Sequence, residues 1–125
     1  MFKINKDDQT ISVTRGDVAL FNISAETEEG GSYVFKSGDV VRISVYGKKS
    51  CDEVVLKKDF LINEDTETVP ILLLGEEMRI GEVISKPVDY WYDVELNPDT
   101  SPQTIIGYDE NGPRVFRLYP EGSEI

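Results

Sequence analysis

The stretch Ser37-Gly38-Asp39-Val40-Val41-Arg42-Ile43-Ser44-Val45-Tyr46-Gly47 decides the fold class. Val41, Ile43 and Val45 recur at a spacing of two, with Arg42, Ser44 and Tyr46 between them. Successive side chains of an extended chain leave opposite faces, so this spacing puts the aliphatic trio on one side and the polar groups on the other. Turn chemistry brackets the run: Ser37-Gly38-Asp39 before it, Gly47-Lys48-Lys49-Ser50 after it. It reads as a half-buried strand.

The same pattern recurs outward in both directions. Towards the N-terminus, Phe2 and Ile4 alternate, as do Ile11 and Val13, which end in Arg15-Gly16-Asp17. Ala19, Phe21 and Ile23 alternate with Leu20, Asn22 and Ser24 before a polar turn at Glu26-Thr27-Glu28-Glu29-Gly30-Gly31. Towards the C-terminus, Val54, Leu56, Phe60 and Ile62 share one parity and Val55, Lys57, Asp59 and Leu61 the other, closed by Asn63-Glu64-Asp65. Val69 to Leu74 carries Pro70, which cannot donate to a ladder, so the run is an edge strand or starts after the proline. Residues 75–86 read as a short helix or an irregular crossing. Asp89 to Leu96 is a strand stopped by Asn97-Pro98-Asp99. Gln103 to Tyr108 and Pro113 to Tyr119 flank Asp109-Glu110-Asn111-Gly112, and Asn-Gly between apolar runs predicts a hairpin joining the two.

Composition agrees with the pattern. Valine and isoleucine together number 24 against 10 for leucine and alanine. Branched side chains lose rotamer freedom in a helix and suit a pleated sheet. About eight short strands separated by turns are what a β-sandwich or small barrel produces. No Gly/Ser-rich or Pro-rich linker interrupts the chain, so one domain is expected over 1–125, with any further part of the protein beyond its C-terminal end. Gly16-Asp17-Val18 and Gly38-Asp39-Val40 echo one another, which reads as two similar entries into strands, not a duplication.

Charge and missing residue types narrow the function. The 125 residues carry 13 basic and 24 acidic side chains, net −11, which repels nucleic acid. Nearly all of the excess lies in residues 63–125, with 4 basic against 14 acidic side chains. No apolar run nears the roughly 18 residues that span a bilayer, and the first residues lack the pattern of a signal peptide, so no membrane partner and no export are expected. Histidine is absent, which removes imidazole-built zinc sites and Ser-His or Cys-His nucleophile pairs. One cysteine, Cys51, rules out an internal disulfide. Lys48 and Lys49 beside it would lower its thiol pKa, but without an oriented base it reads as a spectator. No phosphate-cradling glycine loop or calcium-loop spacing is present, so no cofactor is expected.

Other candidates are weighed the same way. Arg15-Gly16-Asp17 spells a receptor-recognition tripeptide, yet Gly-Asp is ordinary turn chemistry. Asn22-Ile23-Ser24 matches a glycosylation acceptor but lies in a predicted strand. The β-strand from Asp89 carries more. Asp89, Trp91, Asp93 and Glu95 fall on one face, opposite Tyr90, Tyr92, Val94 and Leu96, which form the core face. Trp91 among carboxylates could stack on a sugar, so a carbohydrate-binding module is the alternative function. A carboxylate pair could also serve a glycosidase, but a small sandwich predicts no deep cleft.

Several motifs in this order resemble one family. Thr14-Arg15-Gly16-Asp17 leads into an apolar strand through Phe21 and Ile23. Phe35-Lys36-Ser37-Gly38-Asp39-Val40-Val41-Arg42-Ile43-Ser44-Val45 follows, then Val54-Val55-Leu56-Lys57-Lys58. Tyr90-Trp91-Tyr92-Asp93-Val94-Glu95-Leu96 then runs towards Thr104-Ile105-Ile106. Between about Thr10 and Tyr119 the chain resembles the N-terminal domain of phage upper baseplate proteins, from tailed phages and prophages of Gram-positive bacteria. The resemblance implies an all-β, immunoglobulin-like β-sandwich of about eight short, mostly antiparallel strands. It implies a non-enzymatic structural or adaptor part of a tail baseplate, located in the virion or the bacterial cytoplasm. Its partners would be other tail and baseplate proteins or further copies of itself. The matched motifs are structural and carry over no site residues; from the strand faces alone, Tyr46 and Trp91, with Asp89, Asp93 and Glu95, are the expected interaction surface.

Overall fold

The computed structural model describes residues 2–4, 8–27, 29–107 and 112–121. Within them nine strands form and no helix. They are β1 (Phe2–Ile4), β2 (Ile11–Thr14), β3 (Ala19–Ile23), β4 (Val40–Tyr46), β5 (Val54–Leu61), β6 (Val69–Leu73), β7 (Val88–Leu96), β8 (Gln103–Ile106) and β9 (Arg114–Tyr119).

Burial follows the period-two pattern. On β4, Val41, Ile43 and Val45 are fully buried, and on β7 so is Val94, with Tyr92 and Leu96 nearly so. β3 and β6 are buried at every second residue, in the cross-strand pairs Ala19–Leu73, Phe21–Ile71 and Ile23–Val69. β3 and β6 form a separate antiparallel ribbon, and the other seven strands form one sheet in the order β1-β2-β9-β7-β4-β5, with β8 on β7. The buried faces of ribbon and sheet merge into one apolar cluster with Phe35, Met78 and Ile80 from the connections. Burying each large aliphatic or aromatic side chain of that cluster contributes about 1.5–3 kcal/mol before entropy is charged against it.

Strand direction departs from the expected, mostly antiparallel sandwich. The large sheet is mixed, because β2 runs parallel to β9, with Ile11 opposite Phe116 and Val13 opposite Leu118. A period-two pattern fixes which face is buried but is the same for parallel and antiparallel neighbours, so direction was not written in it.

The expected hairpin is also corrected. Among the described residues β8 and β9 do not pair with each other; both pair with β7, end to end along one edge. β9 takes Val88 to Tyr92 and β8 takes Val94 to Leu96. At roughly 3.3 Å per residue, the nine residues of β7 offer length enough for both partners. The hairpin tip at residues 109–111 lies outside the described residues. Gly112 does have the positive φ, +92°, that turn chemistry led one to expect.

The connections are local and specific. Residues 75–86 form no helix; a turn at Gly75–Met78 begins an irregular crossing. β6 includes Pro70 and, in a two-stranded ribbon, is an edge strand. The two Gly-Asp echoes are equivalent turns: the Asp17 amide donates to the Thr14 carbonyl and the Asp39 amide to the Lys36 carbonyl. In each, the glycine has positive φ (Gly16 +87°, Gly38 +98°).

Two seams separate ribbon from sheet, and they differ. At the β5–β6 seam, Lys58 Nζ donates to the Leu72 carbonyl and to Glu77 Oε1, both at 2.8 Å, with its ammonium 5.5 Å from the Phe60 ring centroid. That seam is bridged. The seam between β3 and β8 is a groove.

Candidate functional site

The residues singled out on β7 and β4 do share the outer face. Register sets Trp91 opposite Tyr46, Asp93 opposite Ser44 and Glu95 opposite Arg42. Trp91, Asp93, Glu95 and Tyr46 are each half-buried, and Asp89 is exposed. The strand brings together Tyr46, Trp91 and Asp93, and the Tyr46 hydroxyl donates to Asp93 Oδ2 at 3.0 Å. Asp89 stands apart, two residues towards the end of the strand, and accepts two bonds from Arg117 at 2.7 and 3.3 Å. Arg42 is likewise engaged, by Asp59 at 2.6 and 2.9 Å and by Asp99 at 3.1 and 3.3 Å. Cross-strand pairs of this exposed kind each stabilise a sheet by less than about 1 kcal/mol.

Asp93 is the perturbed group of this face. Burial pushes its carboxyl above the ordinary range, nearby Glu95 adds to this, and the Tyr46 hydrogen bond opposes it. Its Oδ1 is buried without a hydrogen-bond partner. The Tyr46 phenol is pushed up to about 12, by burial first and by Asp93 next. A cleft of about 480 Å³ lies beside Asp93, lined also by Lys49, Ser50, Cys51 and Pro113. Cys51 is not activated there. Burial, Asp93 and Asp52 all push its thiol up, so the lysines beside it in sequence do not set its ionisation.

Arg15 is nearly buried, with its guanidinium bonded to the carbonyls of Ile80 and Gly81 at 3.3 and 3.0 Å. The Arg-Gly-Asp tripeptide therefore has its arginine committed to holding the crossing after β6. Among the described residues, no group of three or more His, Cys, Asp or Glu side chains is placed to hold a metal ion. Nor do they contain a helix long and apolar enough to cross a membrane.

Sequence reasoning missed two surface features. The first is apolar. The outward parity of the ribbon carries Leu20 opposite Leu72, with Val18 and Leu74 just beyond, and these four are 59%, 38%, 56% and 41% exposed. The signal was present: Leu20 on β3 and Leu72 on β6 are apolar at outward positions, which a strand with one solvated face does not need.

The second is the β3–β8 groove, of about 590 Å³. It is lined by residues 21–26 on one side and Gln103–Ile106 on the other, with Ile4, Gln9, Tyr33, Tyr92 and Leu96. Its aromatic walls are fixed. The Tyr92 hydroxyl donates to the Gln9 carbonyl at 2.6 Å, and the Tyr33 hydroxyl donates to Asp39 Oδ2 at 3.0 Å. Asp39 is held in turn by the Lys36 amide and by Asn97 Nδ2. Burial opposes its ionisation, but these donors outweigh burial and keep its carboxyl below the ordinary range. Segments far apart in the chain, 21–26, Tyr92 to Leu96 and Gln103–Ile106, meet to form this groove, so no local motif announces it. No protein-family model, curated protein or solved structure matches the chain.

Proposed function

We propose that the protein is a non-enzymatic assembly module, a structural or adaptor part of a phage or prophage tail baseplate that works through protein–protein contacts. The supporting observation is the ribbon's outer face: Val18, Leu20, Leu72 and Leu74 stand exposed in one contiguous patch. Water-facing aliphatics gathered in this way, with exposed Asp17 and Glu76 beside them at one end of the ribbon, are the composition of a docking patch. In this reading the two layers amount to an immunoglobulin-like sandwich, as the resemblance to upper baseplate N-terminal domains implies. The partners are neighbouring tail proteins, or further copies of the chain, and the setting is the virion or the host cytoplasm. Trp91 and Tyr46 contribute less than sequence reading assigned them, because both are half-buried within their own sheet.

Co-expression with the tail proteins encoded beside it, followed by light scattering, tests the reading. A stable complex that Leu20→Glu dissolves, with the variant still folded, is the expected result. A monomer that joins none of them would refute it.

The half-exposed ring of Trp91 keeps a second reading, a carbohydrate-binding module using Trp91 with Asp89, Asp93 or Glu95. Asp89 and Asp93 are already engaged by Arg117 and Tyr46, which places this reading second. Its test is quenching of tryptophan fluorescence on glycan titration, lost in Trp91→Ala.

A further inference from the structure

We infer that the β3–β8 groove receives an extended, cationic segment of a partner protein as an added strand. The inference rests on the assembly reading above and names the partner's chemistry. Among the described residues, β3 pairs only with β6 and β8 only with β7, so each turns a second edge away from its ladder. Residues of both strands line the groove. An unpaired strand edge offers a row of amides and carbonyls for another chain, and side-chain pockets beside it select alternate residues of the incomer.

Three further features favour a strand over a small molecule or a second copy. Apolar side chains of both layers, Ile23, Leu96 and Ile106 among them, line the groove and can take every second side chain of an extended segment. Tyr33 and Tyr92 are held by the hydrogen bonds to Asp39 and Gln9, so the walls need little ordering on binding. Among the described residues of the lining Glu26 is the one charged side chain, and the whole chain carries −11. A second copy would bring the same negative charge to the groove, whereas lysine or arginine flanking an apolar strand meets complementary potential. The bridged β5–β6 seam offers no comparable opening, because Lys58 already bonds the Leu72 carbonyl across it.

The test uses the full chain and a terminally blocked eight-residue peptide alternating valine with lysine and threonine. Hydrogen exchange is followed with and without peptide. The expected result is slowed exchange in residues 22–26 and 103–106, and binding that weakens about tenfold or more when Glu26→Lys or Ser24→Lys places like charge in the groove. Both substitutions are at exposed positions, and circular dichroism verifies that each variant folds. A peptide with proline at alternate positions, unable to complete a ladder, should lose the effect.

Absence of binding overturns the inference. So does protection confined to the outer face of β7 or to the ribbon's leucines, and so does equal binding of a peptide with glutamate in place of lysine. Protection of the same segments by concentrating the chain alone would make a second copy the occupant, and would also overturn it. Failure of the assembly reading looks different: the peptide binds in the groove while no tail protein joins the chain. Assembly that Glu26→Lys leaves intact, with no peptide binding, sinks the groove alone.

Discussion

Replacing Lys58 with methionine should open the β5–β6 seam. Lys58→Met keeps most of the side chain's length and apolar stem, so the change is chiefly loss of the ammonium. That ammonium makes two bonds of 2.8 Å, to Glu77 Oε1 and to the Leu72 carbonyl. The pair is about three-quarters buried, with side-chain exposures of 25% and 24%, which puts it above a surface salt bridge and below a fully buried one. Allowing about 1.5–2 kcal/mol for the charged hydrogen bonds and about 0.5 for the Phe60 ring contact gives a loss of about 2–2.5 kcal/mol. In a domain of this size that corresponds to a fall in Tm of roughly 6–12 °C.

Urea denaturation at neutral and acid pH provides the assay. Burial opposes ionisation of Glu77, but the bonds from Lys58 and the Leu74 amide outweigh it and hold its carboxyl below its ordinary value of 4.5. A depressed carboxyl contributes stability above its unfolded pKa and loses it as pH falls through the folded value. The gap between wild type and Lys58→Met should therefore narrow in acid. A double-mutant cycle with Glu77→Gln should give a coupling of about 1 kcal/mol or more at pH 7. A loss below about 0.5 kcal/mol at pH 7, or a gap that stays constant into acid, would refute the reasoning.

Three further outcomes follow from particular contacts. A Cβ at Gly75 would stand 2.6 Å from the Gly16 carbonyl oxygen, so Gly75→Ala should cost about 1–3 kcal/mol, read by the denaturation midpoint. Cys51 has φ of +60°, a left-handed conformation that costs a side-chain-bearing residue about 1 kcal/mol, so Cys51→Gly should leave the protein as stable or raise its Tm by a few degrees. Burial holds the Asp93 carboxyl above its unfolded value of 3.8, so its contribution is unfavourable once the unfolded chain ionises and stability falls as pH rises through the folded value. Asp93→Asn should therefore gain on wild type between pH 3 and pH 7 in thermal melts, and a variant that loses ground over that range would contradict the assignment.

Much of the fold was legible because burial in a sheet has a period of two. Val41, Ile43 and Val45 are buried, and the two faces of the strand from Asp89 to Leu96 divide as their parity requires, with Tyr92, Val94 and Leu96 inward. Pro70 limited its run to an edge strand or to a strand starting after it, because a missing amide is a local property, and the first alternative holds. What failed is what parity does not encode. Asn111-Gly112 reports turn tolerance near the chain's own path, whereas the choice of β7 as partner for both β8 and β9 is a property of the assembled sheet. The parallel β2–β9 pair is of the same kind. The outer-face cluster of Tyr46, Trp91 and Asp93 was found by alternation, while Lys58 escaped notice because it lies between Leu56 and Phe60 on the inner parity of β5. A lone lysine among apolar positions looks like an interruption until the carbonyl and carboxylate across the seam are in view. The groove was illegible for the same reason, since Tyr33, Tyr92 and Ile106 meet only after folding.

Residue-resolved hydrogen exchange of the free chain tests most directly whether one seam is bridged and the other open. The amides of β4 and β7, flanked on both sides by ladders, should exchange only through global unfolding, while those of β3 and β8 on the groove side should exchange many-fold faster through local opening. Uniform protection of β3 and β8 at the level of β4 and β7 would contradict the account.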